Sequence, residues 1–189
     1  ALGGEDRVSL AVGSGGAVLA TRPLSGRAGL TRILRELEDV TGRRVQERRL
    51  EPTDLAAVVR SALDASPGRG VCVLFSDLFE HEGVLAGARE ARRRGHEVAV
   101  VEVLAPFEID PPDLSGYDLE DEETGEIVAL PAHGSRDRFA AALLEHRQRI
   151  DAAARAIDAV VVRASTAEPF EAIVTRALAA GLLSGGGSP

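Results

Sequence analysis

The chain contains no lysine, no asparagine and no methionine, and it has a single cysteine. One cysteine cannot form an internal disulfide, so the fold does not depend on an oxidising compartment. All 22 basic residues are arginine. With lysine absent, this reads as the codon usage of a GC-rich genome rather than as phosphate recognition. Aromatic residues make up only 3% of the chain, too few for a base-stacking surface. Thirty acidic against 22 basic residues give a net charge of −8, the opposite of the excess a nucleic-acid binder carries. No apolar run approaches the ~20 residues that cross a bilayer, and no basic start leads into an apolar segment. This segment is therefore expected not to insert into a membrane, and a cytoplasmic location is expected.

What is present is ordinary for a folded protein: 44% hydrophobic and 28% charged residues over 189 positions. The pattern predicts one domain over residues 1–183 and a flexible Gly/Ser tail over 184–189. Arg7 to Val12 reads as a strand, Gly13 to Gly16 as a tight turn and Ala17 to Ala20 as a second strand, a hairpin signature. Leu30, Ile33, Leu34, Leu37 and Val40 recur at helical spacing from Gly29 to Val40, with Gly42 as the stop. Glu51-Pro52-Thr53-Asp54 opens a second helix with Leu55, Val58, Val59 and Leu63 inward, and Ser66-Pro67-Gly68 stops it.

Val71 to Phe75 is a short, wholly apolar run, as in a strand buried on both faces. A helix from about Glu82 to Arg94 follows, closed by Gly95, and then an apolar strand from Glu97 to Leu104. The proline-rich segment from Ala105 to Pro131 predicts irregular chain with a small hairpin, Tyr117 to Asp121 against Glu126 to Leu130. A long helix is expected from Asp137 to Ile157 and a strand from Ala159 to Val162. The last helix is expected to start at Thr166 to Pro169, with Thr166 as cap and Phe170, Ile173, Val174, Ala177 and Leu178 inward. Apolar strands alternating with amphipathic helices predict an α/β fold: a mostly parallel sheet, helices on both faces, one antiparallel edge strand from the opening hairpin, and a small hairpin insertion.

In such sheets ligands bind beyond the carboxyl ends of the strands. Ser76-Asp77 stands at the end of the Val71 to Phe75 strand, and Thr53-Asp54 stands at a helix start. Oxygen donors of this kind suit a hard cation such as magnesium. Each also has a plainer role, Thr53 as a helix cap and Asp77 as a turn residue capping the next helix. Cys72 lies mid-strand with no cysteine partner and reads as a packed thiol. His81, His96, His133 and His146 lack zinc-ligand spacing. No G-x-S-x-G elbow is present, and the Gly13 to Gly16 turn lacks the phosphate-loop pattern.

The segments G-E-D-R-V-S-L-A-V, P-T-D-L-A-A-V-V and L-F-S-D-L-F-E, followed by R-R-G-H-E-V-A-V-V-E-V-L-A-P, D-L-E-D-E-E-T-G-E-I-V, R-F-A-A-A-L-L-E-H and V-V-V-R-A-S-T-A-E-P-F-E-A-I, occur in an order that covers nearly the whole chain. Together they resemble the von Willebrand factor A-type domain of bacterial "domain of unknown function 58" proteins. The resemblance implies a three-layer, Rossmann-like fold and a metal-ion-dependent adhesion site. In that site Thr53 looks like the second-loop threonine and Asp77 like the third-loop aspartate, with Ser76 and Asp54 as loop support. The D-x-S-x-S part of the site occurs nowhere in the sequence. In the family it lies upstream of the position corresponding to Ala1, so the chain reads as a domain without its first strand and first helix.

The implied function is non-catalytic protein binding, with magnesium as cofactor of the full-length protein. The implied partner is a MoxR-type AAA+ ATPase, in the assembly or remodelling of other proteins. The alternatives are a small metal-assisted phosphohydrolase, for which Asp54 and Glu80 offer further carboxylates, and a structural domain with no ligand. Without its first strand the sheet is expected to leave an edge open, at which another copy of the chain could pair.

Overall fold

A computed structural model describes residues 6–14, 17–44, 54–121 and 125–182, apart from the side chains of residues 14, 17, 43 and 44. The chain forms two compact units, residues 1–68 with 120–126, and residues 69–119 with 127–189.

In the first unit, β1 (Arg7–Val8) pairs antiparallel with β4 (Leu24–Ser25), and β2 (Ala11–Ser14) pairs antiparallel with β3 (Ala17–Ala20). The hairpin expected from the sequence is present, but the strand expected from Arg7 to Val12 is broken. Thr21 supplies the reason. Its hydroxyl accepts the Leu10 N–H at 2.9 Å, and its own N–H donates to the Leu10 carbonyl at 2.8 Å. A buried side chain thus replaces one rung of the ladder, and the strand changes partner there.

Helix α1 (Gly26–Arg44) starts earlier than its apolar spacing suggested and runs through Gly42. A glycine inside a helix costs only ~1 kcal/mol, so it stops a helix only where the backbone turns left-handed, and Gly42 does not. Gly29 is needed for another reason: a Cβ there would stand 3.0 Å from the Leu24 Cβ, so its absence lets α1 fold back tightly on β4. Helix α2 (Leu55–Ala65) buries Val58, Val59 and Leu63 and packs on β2 and β3. Its cap is Asp54, whose carboxylate accepts the Ala57 N–H at 2.9 Å. The chain leaves α2 at Ser66-Pro67-Gly68, as the sequence indicates.

The second unit is built on a parallel sheet in the order β5 (Val71–Ser76), β6 (Glu97–Leu104), β9 (Val160–Ser165). Helix α3 (His81–Arg93) connects β5 to β6. Between β6 and β9 come the single-turn α4 (Pro106–Ile109), the hairpin strands β7 (Asp118–Glu120) and β8 (Ile127–Ala129), and α5 (Ser135–Arg155). Helix α6 (Phe170–Ala179) follows β9. Central β6 is apolar and buried almost throughout, as a parallel strand flanked on both sides must be.

Two expectations about the sheet need correction. No antiparallel edge strand joins it among the described residues, because the opening hairpin pairs with itself in a sheet of its own. Strand β5 is also not buried on both faces. It alternates, and Phe75 is 62% exposed. The register explains this. Val71, Val73 and Phe75 share a face with Ala99, Val101 and Val162. Helix α6 packs that face through Ala177 and Ile173 against Val101 and Val103 of β6 and Val160 and Val162 of β9.

The start of α6 also differs from its expected position. Thr166 lies in the turn after β9, its N–H donating to the Leu104 carbonyl at 3.0 Å, and Pro169 takes the cap position. Ala177 and Ile173 face inward as expected. Phe170, Val174 and Leu178, one turn apart in succession, face outward.

Polar groups pin the opposite face of the sheet. Glu102 on β6 is 1% exposed, and Arg147 of α5 grips its carboxylate at 2.7 and 2.9 Å. Arg163 of β9 lies 3.5 Å from the same carboxylate and donates to Asp151 of α5 at 2.7 Å. Arg92, at the end of α3, donates to the carbonyls of Ile157 and His96 and to the Asp158 carboxylate. Its neighbours Arg93 and Arg94 turn back onto Glu90, holding that carboxyl down at about 2. Cys72 is half-buried, and burial raises its pKa, which disfavours the reactive thiolate.

His96 is buried, and desolvation, reinforced by Arg94, lowers its pKa below the usual 6.5. Below pH 6.5 the unfolded chain then binds a proton that the folded one resists, so stability falls as the pH drops through that value. Urea melts at pH 7 and pH 5 are expected to show a pH-dependent loss that His96→Gln reduces.

Candidate functional site

The loops beyond the carboxyl ends of β5, β6 and β9 form one edge of the second unit. The loop after β5 is shaped by its own side chains. Ser76 Oγ accepts the Leu78 N–H at 3.1 Å, and Asp77 Oδ1 accepts the Phe79 N–H at 3.2 Å and the Ser76 hydroxyl proton at 3.4 Å. Leu78 is left-handed, with φ of +63°, and its side chain is buried. A non-glycine residue in this conformation costs ~1–3 kcal/mol, and the burial of Leu78 holds it there.

The other two strand ends repeat the device. Glu108 Oε2 accepts the Ala105 N–H at 2.6 Å after β6, and Glu168 Oε2 accepts the Ser165 N–H at 3.3 Å after β9. Glu168 also pairs with Arg176, and both interactions hold its carboxyl below the usual range. Asp77, Glu108 and Glu168, one at each strand end, therefore serve first as acceptors for turn backbone.

Asp77 stands just beyond β5 and is exposed, while Ser76, expected after the strand, is its last residue and pairs with Glu102 of β6. Asp77 takes the turn role, with Oδ1 engaged; Oδ2 has no partner among the described residues. Asp54 takes the helix-cap role expected of its neighbour and lies in the other compact unit. Thr53 lies outside the described residues. Among the described residues no three His, Cys, Asp or Glu side chains gather into a metal-holding group. One free carboxylate oxygen and one engaged hydroxyl fall short of the donor set that holds magnesium.

The fold does bring His81 and His146 together, edge to face at 5.0 Å, with the Phe79 ring stacked on His146 at 6.5 Å. Sequence spacing misses this pair because His81 opens α3 and His146 lies midway along α5.

Beside Phe79 is an apolar cleft of about 170 Å3. Phe79, Phe107, Leu114, Leu119, Leu130 and Phe139 line it, drawn from the loops after β5 and β6, the hairpin and α5. Arg136 at its rim is bound to Asp110 at 2.7 and 3.0 Å. Asp113 is held ionised by the hydroxyl and N–H of Ser115. The sequence signalled this cleft only as an irregular, proline-rich segment with a hairpin.

The described residues thus define an α/β protein whose second unit carries helices on a three-stranded parallel sheet, with no helix long and apolar enough to cross a membrane. The chain belongs to the family described as "Protein of unknown function DUF58", which matches residues 1–149. It is 26% identical over 178 residues to uncharacterized proteins of Mycobacterium tuberculosis and Mycobacterium bovis, covering 94% of this chain and 55% of each of those. It is 30% identical over 129 residues to an uncharacterized protein of Mycobacterium avium, covering 65% of this chain and 73% of that one. The chain spans about half the length of the first two. No solved structure matches it.

Proposed function

We propose that this chain is a non-catalytic protein-interaction domain of the von Willebrand factor A type, and that the protein containing it works with a MoxR-type AAA+ ATPase in assembling or remodelling other proteins. One observation carries the interaction reading: none of the six aromatic residues is buried, and Phe75, Phe79, Phe107, Phe170 and Tyr117 are exposed. Aromatic rings bring the largest apolar payload to a core. A chain that keeps its few rings at the surface has the composition of an interface. The use of edge carboxylates as turn acceptors supports the absence of catalysis. The ordered set of family segments supports the A-type fold and the ATPase partner.

The purified chain is expected to co-elute with a MoxR-type ATPase from the same organism, in EDTA as well as in magnesium, and to leave p-nitrophenyl phosphate intact. Steady hydrolysis abolished by Asp77→Ala would overturn the reading in favour of a phosphohydrolase. Calorimetry with magnesium alone is expected to show no binding tighter than millimolar, because the described donor set is short. A tight one-to-one isotherm would restore a metal-bridged interaction completed by other residues.

A further inference from the structure

The geometry points to the cleft beside Phe79 as the docking site for a basic peptide segment of a protein partner, one large aliphatic or aromatic side chain flanked by arginine or lysine. This rests on the interaction reading above and specifies its surface. The size of the cleft decides what enters. At about 170 Å3 it is well below the roughly 300–1,000 Å3 of small-molecule and cofactor pockets. It suits a single anchoring side chain, the form that interface hot spots take. Its lining is apolar and aromatic, and on the hairpin the exposed Tyr117 and Val128 share a face with the lining residues Leu119 and Leu130.

Charge selects the flanks. Exposed carboxylates stand beside lining residues: Glu80 follows Phe79, and Asp113 lies between Pro112 and Leu114, close enough to the rim residue Arg136 for the two charges to act on each other. Arg136, the one guanidinium in the lining, is already bound to Asp110. An acidic partner would meet like charge here, which costs affinity, whereas basic flanks are attracted and steered.

The test is selection of a random phage-displayed peptide library on the immobilised full chain, followed by affinity measurement with labelled synthetic copies of the enriched peptides. Enrichment of one Leu, Ile, Phe or Met with Arg or Lys on either side is expected. Phe107→Asp and, separately, Leu119→Glu should each weaken binding about tenfold or more. Glu80→Gln combined with Asp113→Asn should weaken it and flatten its salt dependence. Phe170→Asp, on α6, should leave it unchanged.

Acidic or uncharged flanks, or binding that survives both cleft variants, overturns the proposal. If binding is lost with Phe170→Asp instead, the cleft assignment falls and the interaction reading stands on another face. No enrichment on the folded chain also overturns the proposal, and the interaction reading then depends on co-elution with the ATPase alone.

Discussion

Replacing Glu102 by glutamine is expected to cost about 2–3 kcal/mol of folding stability, below the ~3–5 kcal/mol of a fully buried ion pair because the arginines left behind are partly exposed. Glu102 is 1% exposed in the central strand, and it anchors Arg147 at 2.7 Å with Arg163 close by. Glutamine leaves the Arg147 guanidinium, itself 22% exposed, facing a neutral amide at its buried end. The double change Glu102→Leu with Arg147→Met removes both charges and is expected to recover most of the loss, since well-packed apolar pairs often match buried ion pairs. Urea melts of the single and double variants check this. Equal losses in both would mean that the network contributes through packing rather than charge.

Arg92→Ala is expected to cost about 2–3 kcal/mol, and Arg92→Lys most of that amount. Each hydrogen bond involving a charged group is worth ~1.5–3 kcal/mol, and partial exposure discounts the sum. Arg92 reaches three acceptors at once, the Ile157 and His96 carbonyls at 3.0 and 3.1 Å and the Asp158 carboxylate. An ammonium has three donors but no fixed fork with which to span them. Thermal melts should rank wild type above Arg92→Lys, and Arg92→Lys slightly above Arg92→Ala. If lysine matches the wild type, the contacts made by the fork carry no stability.

Periodicity made the main elements of the second unit readable. The β6 boundaries, the hairpin inside the proline-rich segment and the left-handed Gly95 closing α3 all follow from local signals. What local signals do not carry is the partner of a residue. Glu102 reads as one carboxylate in an apolar strand until Arg147, 45 positions away, folds over it. The triple of Phe170, Val174 and Leu178 has the spacing of a buried helix face, yet α6 meets the sheet through the neighbouring stripe of Ile173 and Ala177. Strand β5 has the composition of a doubly buried strand, but composition does not report how far a covering helix extends.

The loop after β5 was legible in position and less so in role, and Thr53 lies outside the described residues. Asp77 stands just beyond β5 as expected, and Ser76 extends the strand by one residue. The hydrogen bond from the Phe79 N–H to Asp77 depends on Leu78 turning left-handed, which no residue type in the loop announces. The cleft is made from four separate segments, so no window of sequence contains it.

Strand β5 has a consequence for the behaviour of the chain in concentrated solution. Its six residues, V-C-V-L-F-S, carry no charge and no proline, and among the described residues only β6 pairs with them. A segment of that kind is a seed for cross-β growth, where identical strands stack in register. Arg69 and Asp77 bracket it closely on either side. Charges so placed act as gatekeepers, because stacking would bring like charges into alignment at both ends of the strand. Asp77 thus opposes self-assembly of the strand that it terminates, whatever else its free oxygen does.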